Sequence, residues 1–312
     1  MKKLFCFLFF VSCFCMAKAQ SEFTAPAVRV EYDSAIIRCN LQLVPVKCIE
    51  PMLPADTVIN QKKYITLRYG LMNKTVSIKE RGNFMVENIN VLMIENRSGK
   101  DLFIKSGEIV MGGRQDRVFA RDTVLPSSSK QHTVPVYCVE ENRWSTHEKK
   151  FIHRGSVANG LQKIIDSANS QTKVWDEIRK LLKQNNQTGS SSYASLLNQK
   201  KFADTASNCM YQLYNLLRSK DSSYVGFIAV TGNHILGADV FISPSLFYQT
   251  LPQLLEKYVT EAALSGSAPV LAKEHLKAYA DALLQPSTQA EFLNKKGKRF
   301  FYKGVLIQIT GY

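Results

Sequence analysis

The sequence predicts an α+β protein in which a β-rich N-terminal module, sandwich-like or barrel-like, packs on an α/β C-terminal module. Two observations favour this division. From Phe23 to about Tyr137 the chain consists of short runs rich in β-branched residues, and turn signals such as Asn96-Arg97-Ser98-Gly99 separate them. After Trp144 the apolar residues change to helical spacing. We therefore expect modules at residues 20–150 and 151–312, with one continuous domain as the alternative.

Residues 1–19 have the features of a secretory signal peptide. Two lysines precede an apolar stretch at residues 4–16, and Ala17-Lys18-Ala19 fits a cleavage site with small residues. That stretch is shorter than the roughly 20 apolar residues of a transmembrane helix, and no later stretch approaches this length. We expect an exported protein, periplasmic or secreted, without a transmembrane segment. A lipid anchor at Cys13 is the minor alternative, because Phe10 stands where such a signal usually has leucine.

The β-rich module is predicted from strand-length runs between turn signals. In chain order they are VRVEY, AIIRCNLQLVPV, KYITLRYGL, TVSIKE, INVLMIEN, DLFIKSGEIVM, RVFARDTVL and HTVPVYCVE. Alternating apolar and polar residues within such runs are typical of strands with one buried face. We expect these runs to pair as antiparallel β-structure.

The second module begins with helical patterns. Leu161, Ile164 and Ile165 share a helical face, and a second helix follows after the link QNNQTGSSS. YVGFIAV and HILGADVF predict a hairpin around Thr231-Gly232-Asn233. Ser243-Pro244 predicts a helix start, because serine caps the amide groups and proline fits the first turn. One more helix near residues 271–284 and closing strands in RFFYKGVLIQIT complete the module.

The chain is basic, with a formal net charge of +14. Removal of the predicted leader, which carries three lysines and no acid, leaves +11. Such a charge is compatible with nucleic acid or anionic surfaces as partners. The densest basic cluster, Lys295-Lys296-Gly297-Lys298-Arg299, has no interleaved aromatic residues and is predicted to be a solvated turn. We therefore expect no nucleic-acid partner, and the sequence does not predict an oligomeric state.

Common catalytic and metal-binding motifs are missing from the sequence. It has no GxSxG, no GxxxxGK[ST] and no CxxC, and its five histidines lack ligand spacing. We expect no metal and no cofactor. Cys39, Cys48, Cys138 and Cys209 remain after the leader, and an exported chain allows disulfides between them. Their three possible pairings, and the alternative of free thiols, stay open.

Two segments concentrate polar residues between apolar runs: GGRQDR at residues 112–117 and CVEENRW at residues 138–144. In an extended chain alternate side chains share a face, so Gln115 and Arg117 are expected to point the same way. By the same rule Cys138 lies beside Glu140. A nearby carboxylate raises the pKa of a thiol and disfavours its use as a nucleophile, so we expect Cys138 to be a buried strand residue.

Two interpretations of these charges remain open. In one, Arg117 or Arg143 pairs with Glu108 or Glu140 inside the protein, because unpaired charges within strands are costly. In the other, the same groups line a cleft in which the arginines bind a phosphate or carboxylate and a glutamate acts as general base. Trp144 at the end of CVEENRW is either a lid or an apolar anchor between the modules.

The order and spacing of several segments resemble the domain named for its association with ADP-ribosylglycohydrolases and rhodanese-phosphatase superfamily proteins. The segments are EIVMGGRQDRVFARDTVLP, PVYCVEENRW, KVWDEI and GFIAVTGNHILGADVFISPSLFYQTLPQLLEKY, within residues 40–310. By position the resemblance implies motif residues at Gly107, Glu108, Gly112, Gln115, Arg117, Cys138, Glu140, Arg143, Trp144, Asp239 and Phe241. Asn142 stands where the family tends to have glycine, and asparagine tolerates the same left-handed backbone. The resemblance implies a link to ADP-ribose or nucleotide metabolism but no established reaction.

Three functions are compatible with the sequence. The first is binding of an anionic small molecule, such as a nucleotide, ADP-ribose or a sugar phosphate, by Gln115, Arg117, Cys138, Arg143 and Trp144. The second is metal-independent hydrolysis of a phosphorylated or ADP-ribosyl substrate with Glu108 or Glu140 as base. The third is a structural or interaction role in the cell envelope, with the motif residues forming an internal ion network.

Overall fold

The computed structural model describes residues 23–25, 27–50, 64–81, 89–143, 145, 147, 149–167 and 170–312. Helices and strands are both abundant in these ranges, which confirms the α+β class. The predicted signal peptide, with the alternative anchor Cys13, lies outside the described residues, as does Trp144. In the described part of the chain, no helix combines the length and the apolar character needed to cross a membrane.

Strands dominate the first half of the described chain and helices the second. The strands are β1 (Val28–Val30), β2 (Ile36–Arg38), β3 (Leu41–Cys48), β4 (Tyr64–Thr66), β5 (Val76–Glu80), β6 (Val91–Asn96), β7 (Asp101–Ile104), β8 (Glu108–Gly113), β9 (Arg117–Phe119), β10 (Thr123–Leu125), β11 (Ser128–Cys138), β12 (Lys149–Ser156), β13 (Tyr224–Thr231), β14 (His234–Phe241), β15 (Gly297–Tyr302) and β16 (Val305–Gly311). The helices are α1 (Leu67–Met72), α2 (Asn159–Ser167), α3 (Gln171–Gln184), α4 (Ala194–Leu197), α5 (Lys200–Lys220), α6 (Pro244–Ser265), α7 (Lys273–Leu284) and α8 (Pro286–Lys296).

The larger sheet has seven antiparallel strands in the order β1-β3-β13-β14-β16-β15, with β2 also paired to β3. The predicted hairpin is present as β13 and β14, and the predicted closing strands are β15 and β16. Strand β13 lies between β3 and β14 and is buried at every position. Its almost continuous apolar sequence is typical of a strand that is covered on both faces.

Helices α5, α6, α7 and α8 pack against this sheet and share its apolar core. The predicted start of α6 is confirmed, because the Ser243 side chain accepts the Leu246 amide and Pro244 occupies the first turn. Leu251, Leu254 and Tyr258 carry the buried face of α6 onto the strands. The helix thus lies between the large sheet and the rest of the molecule.

The second core lies between a six-stranded sheet and a three-stranded sheet. The six-stranded sheet has the order β12-β8-β9-β11-β6-β5 and the smaller one the order β10-β7-β4. Leu92, Ile94, Val110 and Phe119 are buried between them. Helices α2, α3 and α4 cover the other side of β8 and β9, where Ile109 and Val118 pack against α2 and α3. Strand β8 is therefore buried on both sides, and polar groups on it must find partners within the protein.

The sheets do not divide at the predicted boundary of residue 150. Strands β1 to β3, from the predicted β-rich module, belong to the sheet formed by β13 to β16. A disulfide between Cys39 and Cys209 joins the turn before β3 to α5. Cys48 and Cys138 are not part of this disulfide. The first and last parts of the chain are thus one structural layer.

Two local predictions were wrong. KYITLRYGL is a strand only at Tyr64–Thr66 and continues as helix α1, since the Thr66 side chain accepts the Tyr69 amide and caps a helix. Lys295–Arg299 is not a turn. Lys295 and Lys296 form the last turn of α8, where basic side chains favour the helix C-terminus, and β15 begins at Gly297.

Candidate functional site

The GGRQDR segment turns sharply after β8 because its two glycines adopt left-handed backbone angles. Gly112 has φ 127° and Gly113 φ 53°. A Cβ at Gly112 would lie 2.5 Å from the Lys150 carbonyl oxygen, and one at Gly113 would lie 2.2 Å from the Phe151 ring. The turn therefore depends on the absence of side chains at both positions. It brings the following polar residues back against the sheet.

Arg117 lies entirely inside the protein. Its guanidinium approaches Glu80 at 3.5 Å and donates to the Gln115 side-chain oxygen at 3.2 Å, so Gln115 and Arg117 share a face as predicted. The Gln115 amide in turn donates to the Glu140 carbonyl at 2.6 Å. Glu80 also accepts the Arg114 amide at 3.0 Å. The predicted partners of Arg117 were Glu108 and Glu140, whereas the structure pairs it with Glu80.

Arg143, whose side chain is partly exposed, joins the two motif segments. It donates to Asp116 at 3.0 Å and to Glu140, while Asp116 also accepts the Gly112 amide at 3.1 Å. About a third of the Arg143 side chain remains exposed. Asn142 has φ 66°, which confirms the left-handed turn expected there. We call Glu80, Gln115, Asp116, Arg117, Glu140 and Arg143 the motif network.

Cys138 lies beside the motif network as a buried strand residue. It pairs in register with Arg117, and its backbone exchanges hydrogen bonds with the Gln171 side chain. Burial raises the pKa of the Cys138 thiol, although the charge of Arg117 acts in the opposite direction. A thiol in such surroundings is protonated at neutral pH and unreactive.

Glu108 is not part of the motif network, because it stands at the opposite end of β8. Its carboxylate accepts the Lys105 amide at 2.8 Å, and its other oxygen lies 2.9 Å from the His153 Nε2 atom. Both side chains are almost fully buried. The pair joins β8 to β12, the edge strand of the six-stranded sheet, and places the imidazole on the wall of an open cleft.

The cleft has a volume of about 770 Å³ and lies between β12 and the helices α1, α5 and α6. Six successive residues of β12, 150–155, line one wall. Its apolar lining includes Met72, Ile152 and Tyr211, which are 71%, 56% and 70% exposed although they are large hydrophobic residues. Exposed apolar side chains gathered around one concavity are typical of a binding site.

The charged groups of the cleft surround one carboxyl group. Arg68, Lys150, His153 and Arg154 contribute basic side chains, and Glu256 of α6 is the acidic residue among the lining residues. Gly155, with φ 132°, leaves the space that the Glu256 carboxyl fills, since a Cβ there would lie 1.8 Å from a Glu256 oxygen. The balance of the lining is positive, which favours an anionic ligand.

Glu256 is mostly enclosed by protein but still borders the cleft. Burial raises the pKa of Glu256 to about 7, although His153, Arg68, Arg154 and the Ser156 backbone amide act in the opposite direction. A carboxyl group with this pKa exchanges a proton near neutral pH, which is the property of a general acid or base. Glu256 was not predicted from the sequence, where it reads as one polar residue in the amphipathic helix α6.

Asp239, on β14, is at the centre of a second buried cluster. The cluster links the large sheet to Lys105, the residue after β7. Lys105, Lys257, Tyr258, Gln308 and Thr310 all donate to its carboxylate, at 2.5–3.3 Å. Burial alone would raise the pKa of Asp239, but Lys105 and Lys257 hold it well below its usual range. We call these six residues the junction cluster. All six residues are buried, so the cluster is closed to solvent.

Sequence reasoning missed three of the groups that matter here: Glu80, His153 and Glu256. Glu80 ends a strand, and a charge at that point carries no sign of the long-range partner Arg117. The histidine spacing that excluded a zinc site gave no hint of the Glu108 contact. In the described ranges, no three histidine, cysteine, aspartate or glutamate side chains are arranged to hold a metal ion.

Comparison with protein families shows to which family the chain belongs. The family model ARPP-1, described as the ARG and Rhodanese-Phosphatase-superfamily-associated Protein domain, matches residues 29–301. The matched range contains both motif segments, the Glu108–His153 pair, Glu256 and most of the junction cluster. No curated protein and no solved structure matches the chain.

Proposed function

The chain belongs to the ARPP-1 domain family, whose description gives no reaction, and we propose from the geometry that it binds an anionic small molecule in the cleft between β12 and α6. The observation that carries the proposal is the meeting of basic and exposed apolar side chains in one concavity. Arg68, Lys150 and Arg154 suit a phosphate or carboxylate, and Tyr211 and Met72 suit an apolar or aromatic portion. A nucleotide, ADP-ribose or a sugar phosphate has this character.

The motif network has a different role in this proposal. Arg117 is fully buried and engaged by Glu80 and Gln115, and Arg143 is engaged by Asp116 and Glu140. These contacts support the internal ion network among the three expected functions, with Gln115, Cys138 and Arg143 holding the two motif segments together. The ligand-binding cations are then those of the cleft.

A thermal-shift panel of nucleotides, ADP-ribose and sugar phosphates tests ligand binding. A bound ligand stabilises the folded state by an amount that grows with its concentration over its dissociation constant. We expect Arg154→Ala and Tyr211→Ala to abolish the shift. Arg38→Ala and Tyr69→Ala, which remove an exposed arginine and an exposed tyrosine outside the cleft, are the matched controls. An unchanged shift in both cleft variants would contradict the proposed location.

A hydrolase is the second candidate function, and one observation favours it: His153, which contacts Glu108, and the proton-exchanging Glu256 line the same cleft. In this reading Glu256 transfers the proton, and Glu108 acts through His153, whose ring it orients. Hydrolysis of ADP-ribosyl or phosphorylated substrates in a chelator would then be lost in Glu256→Gln. Glu140→Gln, in the motif network, is the control and should keep the activity. Activity that survives Glu256→Gln would exclude this mechanism.

Export is the second part of the proposal. The Cys39–Cys209 disulfide supports it, because stable disulfides form in oxidising compartments such as the periplasm and the extracellular space. Expression with residues 1–19 intact, followed by fractionation and N-terminal sequencing, tests the leader directly. Cleavage after Ala19 is expected. Retention of the full N-terminus in the cytoplasm would contradict it.

A further inference from the structure

A second cavity, on the side of the molecule formed by α2, α8 and β15, carries an excess of positive charge. Its volume is about 620 Å³. The basic residues of its lining are Arg121, Lys163, Lys295, Lys296, Lys298 and Arg299, and the acidic ones are Asp122 and Asp166. We call it the basic cavity. It includes the basic cluster that the sequence predicted to be a solvated turn.

Asp122 and Asp166 form ion pairs with Lys298 at the floor of the basic cavity. Lys298 lies 2.6 Å from Asp122 and 2.9 Å from Asp166, and it also donates to the Ser106 hydroxyl. Burial opposes the charge of Lys298, but the two carboxylates outweigh it and raise its pKa above the ordinary value. The Tyr312 hydroxyl donates to Asp166 as well. The two carboxylates of the lining are thus held by Lys298, and their charge acts mainly at the floor of the basic cavity.

The walls keep their positive charge. Lys295 pairs with Glu291, but Arg121, Lys163, Lys296 and Arg299 make no ion pair within the described ranges. Arg299 contacts only a neutral partner among its hydrogen bonds there, the Asn294 side chain. Four cations that line one concavity without an ion pair of their own repel one another, and an anion between them would reduce that repulsion.

Lys163 is partly buried in the wall of the basic cavity. Its ammonium group lies over the Tyr312 ring at 5.5 Å, and burial lowers its pKa although Glu261 acts in the opposite direction. An anion bound beside Lys163 would act in the same direction as Glu261 and raise this pKa again.

We propose that the basic cavity binds a compact ligand with at least two adjacent phosphate groups, held by Arg121, Lys163, Lys296 and Arg299. A diphosphate group carries more negative charge than a single phosphate and can contact more of these four cations at once. The rings of Phe300 and Tyr312 beside the cations leave an apolar wall for an organic substituent. This site is separate from the cleft, and the proposal does not depend on the function assigned to it.

The probe is pyrophosphate, with inorganic phosphate and ADP as comparison ligands. Isothermal titration calorimetry at constant ionic strength should give a dissociation constant for pyrophosphate at least tenfold below that for phosphate. Constant ionic strength matters because salt alone screens exposed charges. ADP binding as tightly as pyrophosphate or more tightly identifies a nucleotide as the source of the diphosphate group, and ADP binding far more weakly identifies the inorganic ion.

The double variant Lys163→Ala/Arg299→Ala should weaken pyrophosphate binding at least tenfold. Lys295→Ala, a neighbouring lysine whose charge Glu291 already balances, is the matched control and should change it less than twofold. If the double variant does not fold, as judged by its melting temperature without ligand, Arg121→Ala at an exposed position replaces it. Arg154→Ala, which removes a cation of the cleft, is the background for all of these titrations, so that the binding measured is that of the basic cavity.

Three results would overturn the proposal. They are no measurable binding of pyrophosphate at millimolar concentration, equal affinity for phosphate and pyrophosphate, or equal weakening by Lys295→Ala and by the double variant. The last would mean a diffuse charge effect rather than a site.

Discussion

Asp239 and Glu256 are both carboxyl groups enclosed near helix α6 with cations around them, yet their pKa values move in opposite directions. Asp239 accepts direct hydrogen bonds from five side chains, including the ammonium group of Lys257. Glu256, the residue next to Lys257, receives a backbone amide, and its cations act without a side-chain hydrogen bond among the described residues. Direct donors offset the cost of burying a charge, and cations without contact do not.

The difference separates two uses of buried charge on one helix. The junction cluster around Asp239 is closed. Through Lys105, it joins the large sheet to the end of β7 in the three-stranded sheet. Glu256 borders an open cleft and keeps a proton that it can release near neutral pH. A carboxylate with many hydrogen-bond donors stabilises the folded protein. A buried carboxyl group with few donors can exchange a proton near neutral pH and so take part in catalysis.

Asp239→Ala gives the largest expected effect, because it leaves Lys105 and Lys257 buried without their anion. Removal of one partner of a buried ion pair costs about 3–5 kcal/mol. Urea denaturation at pH 7 should show this loss in the free energy of unfolding. Asp204→Ala, at an exposed position of α5, is the control and should change it by less than about 0.5 kcal/mol.

The stabilising effect of Asp239 also has a defined pH dependence. Its folded-state pKa is lower than its unfolded value, so its contribution is present above the unfolded value near 3.8 and is lost as the pH falls below it. The difference between the wild type and Asp239→Ala should therefore shrink in acid. A difference that stays constant down to pH 2 would contradict the ion pairing.

Arg117→Met tests whether the motif network resembles the junction cluster or the cleft. Glu80 would lose its buried cation, and we expect the free energy of unfolding to fall by about 2–4 kcal/mol. Arg143→Ala is the comparison, because a partly exposed ion pair contributes about 1 kcal/mol or less. Equal, small losses in the two variants would mean that the network is as open as the cleft.

Glu256→Gln is expected to stabilise the protein, whereas Asp239→Ala and Arg117→Met destabilise it. The folded pKa near 7 lies above the unfolded value of 4.5, so ionisation of Glu256 destabilises the folded state as the pH rises through this interval. Glutamine removes that penalty and should add about 3 kcal/mol at pH 8 and almost nothing below pH 4.5. A pH-independent difference would show that Glu256 titrates normally.

Local sequence patterns predicted much of the fold. The β13–β14 hairpin, the Ser243 cap, the closing strands and the left-handed Asn142 each depend on neighbouring residues, and all are present. The shared face of Gln115 and Arg117 follows from strand alternation in the same way. Each of these features is determined by residues that lie within a few positions of it in the sequence.

Long-range partners were the part that the sequence did not reveal. Arg117 pairs with Glu80, which is 37 residues away, and Glu108 with His153, which is 45 residues away. Nothing in the local pattern distinguishes these carboxylates from Glu140, which does meet Arg143 three positions on. The cleft escaped prediction for the same reason, since β12, α1 and α6 meet only in the folded chain.

The membership of β1 to β3 in the large sheet has a consequence for how the molecule is made. Strand β3 pairs with β13, and the cysteines that join this region to α5 are separated by 170 residues. During synthesis the first strands emerge long before their neighbours exist, so the sheet stays incomplete until most of the chain has been made. Pairing over such distances is slow compared with local folding. The edge of β3 therefore lacks its partner until β13 has been made, and the disulfide cannot close before Cys209 has been made.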